Sequence, residues 1–449
     1  MTTAAPVAVA EDYSAPKHNS DFRRRRFLNW FPLGITYATF YMGRYNLNVA
    51  STTIMSHFAM TKEQFGIIGT AGFWTYALSV IFNGPLADRY GGRKAILLAA
   101  VGAAALNGII GLLFMSGWTS KVLVGMSLLY AVNMYFQSFG ALSIVKINSH
   151  WFHVRERGVF GGVFGIMISC GYFLAMTVGG WILASMSWYW VFLVPSMAIA
   201  AMFVVEWFLA ADTPKDAGHE NIDTGDATSR LGAEKDTPVD FAYLVKNLYS
   251  NPVVVTITAA EFCTGFVRQG LMYWFVSFLK EVHGVTPHAT PKLFSLATGG
   301  ITVGGILGGL LCGWMSDALF QSRRAPVAFL FYLGQIGSLI WLGRTHSALT
   351  ASFLIGFSCM WIFGVHGMLS GTASMDFGGT KAAGTAAGLM DGVQYLASGL
   401  TGVLLGYFLD KYGWGIWTYS IIPFSAIGAI LMLTLWNATP QNTKITLAS

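Results

Sequence analysis

Charged residues are scarce in this chain of 449 residues. Asp, Glu, Lys and Arg make up 11% of the sequence, whereas hydrophobic residues make up 54%. Soluble globular domains carry about 25% charged residues, so this composition excludes an ordinary soluble protein. The mean hydropathy of +0.55 indicates a polytopic membrane protein instead.

Cysteine is also rare. The four cysteines all lie in apolar segments, and their spacing matches no metal-binding motif. This pattern excludes a disulfide scaffold, and we expect the cysteines to pack in the core. They are Cys170, Cys263, Cys312 and Cys359.

Sequence motifs of enzymatic chemistry are missing. The chain has no nucleophile elbow, Walker loop, dinucleotide fingerprint or metal-ligand cluster. The glycine-rich stretch "GVFGGVFG" at 158–165 lies inside an apolar segment, where helix packing explains it. We therefore expect no enzyme and no tightly bound cofactor or metal. The net charge of +6 does not suggest nucleic-acid binding.

The sequence does contain a series of long apolar segments. A helix needs about 20 residues to cross a bilayer, and we count twelve apolar segments of about that length or longer. We predict an all-α membrane protein with twelve transmembrane helices in two pseudo-symmetric six-helix halves. The predicted spans are 27–56, 63–86, 93–116, 121–149, 157–184, 188–210, 253–282, 290–316, 325–344, 348–374, 382–409 and 414–437.

Polar segments divide the chain into five parts. We predict an N-terminal tail at 1–26, six-helix halves at 27–210 and 253–437, a central loop at 211–252 and a C-terminal tail at 438–449. Basic residues are concentrated in "FRRRRF" at 22–27 and in the even-numbered loops, which predicts that both termini and the central loop are cytoplasmic.

The two halves repeat each other. "ERGVFGG" and "AAGTAAG" each carry Gly-x-x-x-Gly, and Gly158 and Gly384 are 226 residues apart. Trp188 and Trp414, after the next predicted helix, are separated by the same distance. A parallel duplication of this kind places a substrate site between the halves, near the membrane midplane.

One arginine lies at membrane depth in each half. Arg44 is near the middle of the first predicted helix, and Arg268 follows at an offset of 224 in the seventh. A lone intramembrane arginine can be structural, paired with a carboxylate or with backbone carbonyls. A symmetric pair favours one central cavity that binds a dianion or a phosphate group, because guanidinium offers paired donors to such oxygens.

Aromatic and basic residues surround these positions in the predicted helices. Tyr37 and Tyr41 lie two turns and one turn before Arg44, respectively, on the same helix face. Tyr76 lies in the second predicted helix and Lys146 near the end of the fourth. We predict that all four contribute to the site, although packing for the tyrosines and snorkelling for the lysine are alternatives.

Other ionisable residues lie within the predicted membrane helices of the second half. Glu261 is seven residues before Arg268, on the same face but two turns away. His366 and Asp391 lie in the tenth and eleventh spans. Each of the three is a candidate proton carrier, and each can instead be a hydrogen-bonded interior group.

Charged residues at the loops form a separate group. Carboxylates and guanidiniums that pair in one conformation and separate in another bias an alternating-access equilibrium; alternatively, these charges only fix the topology. The candidates are Asp88, Arg89, Arg93, Arg157, Asp317 and Arg323.

Several of these stretches resemble a known family. "GPLADRYGGRK" is similar to the loop signature of the major facilitator superfamily. "FYMGRYN", "RQGLMYWFVSFLKEV", "LCGWMSD" and "KAAGTAAG" together resemble the organophosphate:phosphate antiporters. The resemblance implies that Arg44 and Arg268 match paired phosphate-binding arginines and that Tyr37, Tyr41 and Tyr76 match cavity tyrosines. It also implies a monomer that exchanges a phosphate monoester for inorganic phosphate.

The chain departs from that family pattern at four positions. Tyr45 and Val80 stand where family members have lysine, and Ile168 stands where a histidine is found. Glu261 replaces an apolar residue, whereas Lys146 matches a family arginine and keeps that cation. The resemblance therefore implies a cavity that is less cationic than those of well-known members.

Three functions remain open from the sequence. The first is a secondary transporter in a bacterial inner membrane that exchanges a small organic anion, such as a sugar phosphate, glycerol phosphate or phosphonate, for inorganic phosphate. The second is proton-coupled symport of an organic anion. The third is a transporter-like membrane receptor that senses a phosphorylated metabolite.

Overall fold

The computed structural model describes residues 18–153, 156–224, 250–321, 323–369 and 374–437. Within these ranges the side chains of residues 85, 88, 157–162, 164 and 374–387 are not described. The helices are α1 Ser20–Val49, α2 Ser51–His57, α3 Lys62–Tyr90, α4 Gly92–Met115, α5 Val122–Trp151, α6 Arg157–Tyr172, α7 Gly179–Ser185, α8 Trp190–Leu209, α9 Pro252–His283, α10 Pro291–Phe320, α11 Arg324–Arg344, α12 Ala348–His366, α13 Ser374–Tyr412 and α14 Trp417–Thr434.

These helices form twelve traversals of the bundle. A π-helical turn at Phe173–Val178 joins α6 to α7 in one traversal, and α2 continues α1. Ten of the spans in the described residues are long and apolar enough to cross a membrane. The two other traversals, α1 and α9, have 30 and 32 residues and carry the two arginines. The predicted all-α architecture of twelve helices is confirmed.

Local sequence signals set where several helices begin. The Asn19 side chain accepts a hydrogen bond from the backbone N–H of Phe22 at 2.7 Å, so α1 begins before the predicted residue 27 and includes the basic tract. Thr61 and Gln64 form a capping box at the start of α3. Asn251 caps α9, whose first residue is a proline with no N–H to satisfy.

The ends of the bundle are named from α1. The near side is the side at which α1 begins, and the far side is the side at which α1 ends and α2 follows. On the far side the hydroxyls of Ser51 and Ser277, 226 residues apart, are hydrogen-bonded at 3.2 Å. Because this separation equals the repeat offset of the sequence, the pseudo-twofold axis passes between the two serines.

Helices α3 and α13 form one seam between the halves. The Thr70 hydroxyl donates to the carbonyl of Gly399 at 2.6 Å, and the Trp74 indole donates to the carbonyl of Leu396 at 3.0 Å. Their backbones meet at Gly66 and Gly402, where an added Cβ would collide with the opposite backbone. Only glycine permits this approach, so the far side is sealed largely by main chain.

Helices α6 and α10 diverge toward the near side. A Cβ on Gly305 would lie 3.0 Å from the Ser169 hydroxyl, which places the two helices in contact at this level. One turn nearer on the same faces, Gly165 and Gly309 have no described atom within 4 Å of an added Cβ. Among the described residues, these helices therefore touch toward the far side and separate toward the near side.

Candidate functional site

Arg44 is fully buried in α1, with 0% exposure. Its Nε donates to the Gln137 side-chain oxygen at 3.0 Å, and its Nη1 donates to the Tyr395 hydroxyl at 3.0 Å. The guanidinium carbon lies 5.1 Å from the ring centre of Tyr41 and 4.8 Å from that of Tyr76. Two aromatic faces and two hydrogen bonds therefore fix the orientation of the cation.

A buried amide network holds Gln137 in place. Its amide nitrogen donates to the side-chain oxygen of Asn133 at 3.2 Å, and Asn107 donates to the same oxygen at 3.1 Å. Asn133 also donates to the carbonyl of Gly43 at 3.0 Å. Because this network returns to the residue before Arg44, the arginine and its partner are positioned by the same polar cluster.

Arg268 is 2% exposed and lies in α9. Its Nη1 donates to the Tyr172 hydroxyl at 3.3 Å, and its Nη2 donates to the Gln394 side-chain oxygen at 2.9 Å. Its guanidinium carbon lies 5.4 Å from the ring centre of Tyr395. Each arginine is thus held by one glutamine and at least one tyrosine.

Tyr395 is shared by the two arginines. Its hydroxyl accepts from Arg44 of the first half, and its ring faces Arg268 of the second half. The ring also packs against that of Tyr76 at a tilt of 33°, with 4.1 Å between centres. The structure therefore places the predicted pair of arginines at one site between the halves.

Neither arginine is in contact with a carboxylate in the described part of the chain. No described carboxylate forms an ion pair with either one, so the alternative of a structural Arg–carboxylate pair is not supported here. Arg44 Nη2 and Arg268 Nε are buried and have no hydrogen-bond partner. Buried unpaired guanidinium N–H groups are costly, and an oxyanion with several acceptor oxygens would satisfy both.

The predicted tyrosines surround Arg44 in different ways. Tyr41 and Tyr76 face its guanidinium directly. Tyr37 is buried and packs edge-on against Tyr41, with 5.5 Å between ring centres, so it lies one layer farther out. Lys146 is half-buried, nine residues toward the near side from Gln137 on the same helix. It lies on the near-side approach to the arginines.

Glu261 and His366 meet at Gln394. The Gln394 amide nitrogen donates to Glu261 Oε2 at 3.0 Å and lies 2.7 Å from His366 Nδ1. The His366 and Glu261 side chains are 3.8 Å apart. Because the oxygen of the same amide accepts from Arg268, one glutamine connects the arginine to the two candidate proton carriers. Asp391 lies one turn before Gln394 on α13.

The departures from the family pattern are buried or half-buried. Tyr45 has 0% exposure, and its hydroxyl is 3.2 Å from that of Tyr172, which accepts from Arg268. Val80 is 4% exposed and faces α13 near Gly392. Tyr45 therefore supplies a neutral hydrogen bond where the resemblance implies a cation.

The predicted gating residues have mixed outcomes. The side chains of Asp88 and Arg157 lie outside the described residues. Arg93 donates to the carbonyl of Trp207 at 2.6 Å, within its own half, and Arg89 is exposed.

On the other half, Asp317 pairs with Arg324 at 3.4 Å. Arg323 donates to the carbonyl of Phe320 at 3.2 Å. These contacts lie within one half, so a gating role for the group stays a prediction.

Four site residues were missed from the sequence: Gln137, Tyr172, Gln394 and Tyr395. The glutamines gave a usable signal, because an amide inside a membrane helix needs a polar partner. The tyrosines gave no usable signal. The chain has 18 tyrosines, and the sequence does not show which of them point toward the site.

Comparisons with known proteins agree with the fold. The Major Facilitator Superfamily profile matches residues 33–402. A probable hexose phosphate transport protein of Chlamydia pneumoniae is 26% identical, covering 96% of this chain and 98% of the relative. The glycerol-3-phosphate transporter of Bacillus subtilis is 27% identical, covering 96% and 97%. The membrane sensor protein UhpC of Salmonella typhimurium is 27% identical, covering 95% and 96%.

Solved structures share the architecture. The crystal structure of a bacterial homolog to the human lysosomal transporter Spinster superposes with a TM-score of 0.71. It is 14% identical and covers 95% of this chain and 98% of its own. At this identity the likeness concerns the fold alone.

Proposed function

Since this chain belongs to the Major Facilitator Superfamily, we propose that it exchanges a small phosphate- or phosphonate-bearing anion for inorganic phosphate by alternating access. It is a multi-pass membrane transport protein and not an enzyme. Its relatives, named as hexose phosphate and glycerol-3-phosphate transporters and as a sensor, support a phosphorylated ligand.

The proposal is carried by the pair of arginines, neither of which contacts a described carboxylate. Arg44 and Arg268 approach one tyrosine from opposite halves, and each keeps a buried N–H without a partner. A phosphoryl group offers three acceptor oxygens and negative charge, which satisfies both cations at once. A neutral sugar carries no negative charge to pair with the two guanidinium N–H groups that are buried without a partner.

The mechanism follows from the seams. Among the described residues, the halves touch toward the far side, and α6 and α10 separate toward the near side, so an anion would reach the arginines from the near side. Rocking of the halves around the site would open the far-side seam and close the near side. From the positive charge of the α1 end we propose that the near side is cytoplasmic and the membrane is the plasma membrane.

The test is phosphate exchange in liposomes that contain the purified protein. Liposomes loaded with unlabelled phosphate should take up labelled phosphate, whereas protein-free or unloaded liposomes should not. Uptake should be insensitive to an uncoupler, because exchange moves no obligatory proton. Correctly folded protein without phosphate counterflow would contradict the proposal.

A second candidate is proton-coupled symport of an organic anion. The contacts of Gln394 with Glu261, His366 and Arg268 favour it, because they connect two titratable groups to a substrate-binding cation. Imposed proton gradients would then drive uptake, and internal phosphate would not. Ligand binding without any flux would favour a receptor instead.

We predict that Gln137→Leu weakens phosphate binding roughly 10-fold. The substitution keeps the volume but removes the acceptor of Arg44 Nε, which leaves the guanidinium free to rotate away from its position. Binding is measured by isothermal titration with inorganic phosphate. The matched control is Gln335→Leu, a buried glutamine whose side chain is hydrogen-bonded to Ser425 and Trp361 and to neither arginine. Equal losses in both variants would show a stability effect only.

A further inference from the structure

Asp391 is an unpaired carboxylate at membrane depth. It is half-buried in α13 and makes no hydrogen bond or ion pair with another described residue. A carboxylate at this depth costs several kcal/mol unless something compensates it. Phosphate exchange through the two arginines does not require this carboxylate.

Asp391 lies in the space between the halves. On α13 it is three and four residues before Gln394 and Tyr395, so the three side chains share one helix face. Gln394 accepts from Arg268 and Tyr395 accepts from Arg44, so this face of α13 is turned toward both arginines.

The two arginines share the site with two carboxylates. Glu261, with its Oε1 unpartnered, is joined to Arg268 through the Gln394 amide. Counting Arg44 and Asp391 as well gives two cations and two carboxylates around one tyrosine. A second carboxylate would repel a simple dianion and lower the affinity of the site for it.

We propose that Asp391 is the cation subsite of the same cavity, so the transported anion carries an ammonium group as well as its phosphate or phosphonate. The inference rests on the proposed function and narrows its substrate class. The phosphoryl group binds Arg44 and Arg268, and the ammonium group binds Asp391. One helical turn is about 5.4 Å along the axis, a distance that a two- or three-carbon linker spans.

The test uses matched pairs of competitors in the phosphate-exchange assay. Phosphoethanolamine is compared with 2-hydroxyethyl phosphate, and 2-aminoethylphosphonate with 2-hydroxyethylphosphonate. In the wild type we expect each amine to compete roughly 10-fold better than its hydroxyl partner. Asp391→Asn should bring the ratio close to one, and Asp391→Glu should retain the preference for the amine. Glu220→Gln, which removes an exposed carboxylate outside the bundle, should leave the ratio unchanged.

The outcomes separate the two proposals. Equal competition by amine and hydroxyl compounds in the wild type, or a preference that survives Asp391→Asn, overturns the ammonium subsite while phosphate exchange stands. Proton-driven uptake that is lost in Asp391→Asn, without any amine preference, makes Asp391 a proton carrier and also overturns the subsite. Phosphate exchange that none of the four compounds inhibits overturns the ammonium subsite while the phosphate site stands, whereas folded protein without any phosphate exchange overturns both proposals.

Discussion

Replacing Arg44 with lysine is expected to lower kcat/KM for phosphate exchange by roughly 100-fold or more. The guanidinium bonds Gln137 and Tyr395 with two different nitrogens and keeps a third N–H for the ligand. Lysine has a single nitrogen on a flexible stem and cannot reproduce this fork. The same loss is expected for Arg268→Lys, which would leave Gln394 or Tyr172 without its donor.

The control for these arginine-to-lysine substitutions is Arg344→Lys, at the exposed end of α11. It should leave both the exchange rate and the thermal stability close to those of the wild type. Initial rates of labelled phosphate uptake, normalised to the folded protein in the liposomes, give the comparison. If Arg44→Lys retained half of the wild-type rate, paired-donor recognition of phosphate would be refuted.

A disulfide across the far-side seam is expected to lower the rate of phosphate exchange at least about ten-fold, and reduction of the disulfide should restore the rate. Ser51 and Ser277 are buried with their hydroxyls 3.2 Å apart, so cysteines at both positions lie within reach of each other. Exchange requires the seam to open, and a covalent bond at its axis prevents that. The measurement is phosphate exchange before and after oxidation, then after adding a reductant.

Two controls accompany this experiment. Each single cysteine variant should transport under oxidising conditions, which excludes effects of the native cysteines, one of which, Cys170, is exposed. A pair at Gly165 and Gly309, where the helices are separated, should crosslink more slowly than the seam pair. Wild-type exchange by the crosslinked seam pair would show that the far side need not open.

The fold was predictable because its signals are long and repeated. Twelve apolar segments and an offset of about 225 residues specify the two halves without any knowledge of contacts. The same offset identified Arg44 and Arg268 as a pair, since a buried cation is rare enough to stand out in each repeat. The structure places both at one site.

The partners of the arginines were not predictable in the same way. Whether Tyr395 or another tyrosine of α13 faces Arg44 depends on how α13 is rotated against α3, and tertiary packing alone decides that. The separation of Glu261 from Arg268 along α9 argued correctly against a direct contact. The bridge through Gln394 comes from another helix, and no spacing on α9 contains that information.

The serine contact on the pseudo-twofold axis has a further consequence. Ser51 and Ser277 are equivalent positions of the two repeats, and equivalent positions touch only on the axis itself. The surface between the halves is therefore isologous, like that of a symmetric dimer whose two subunits have been fused. Once the two halves are in contact, neither half has a free copy of this surface left to bind another chain. We therefore expect each polypeptide to hold a complete translocation route, and any assembly of several chains to use the lipid-facing outside of the bundle.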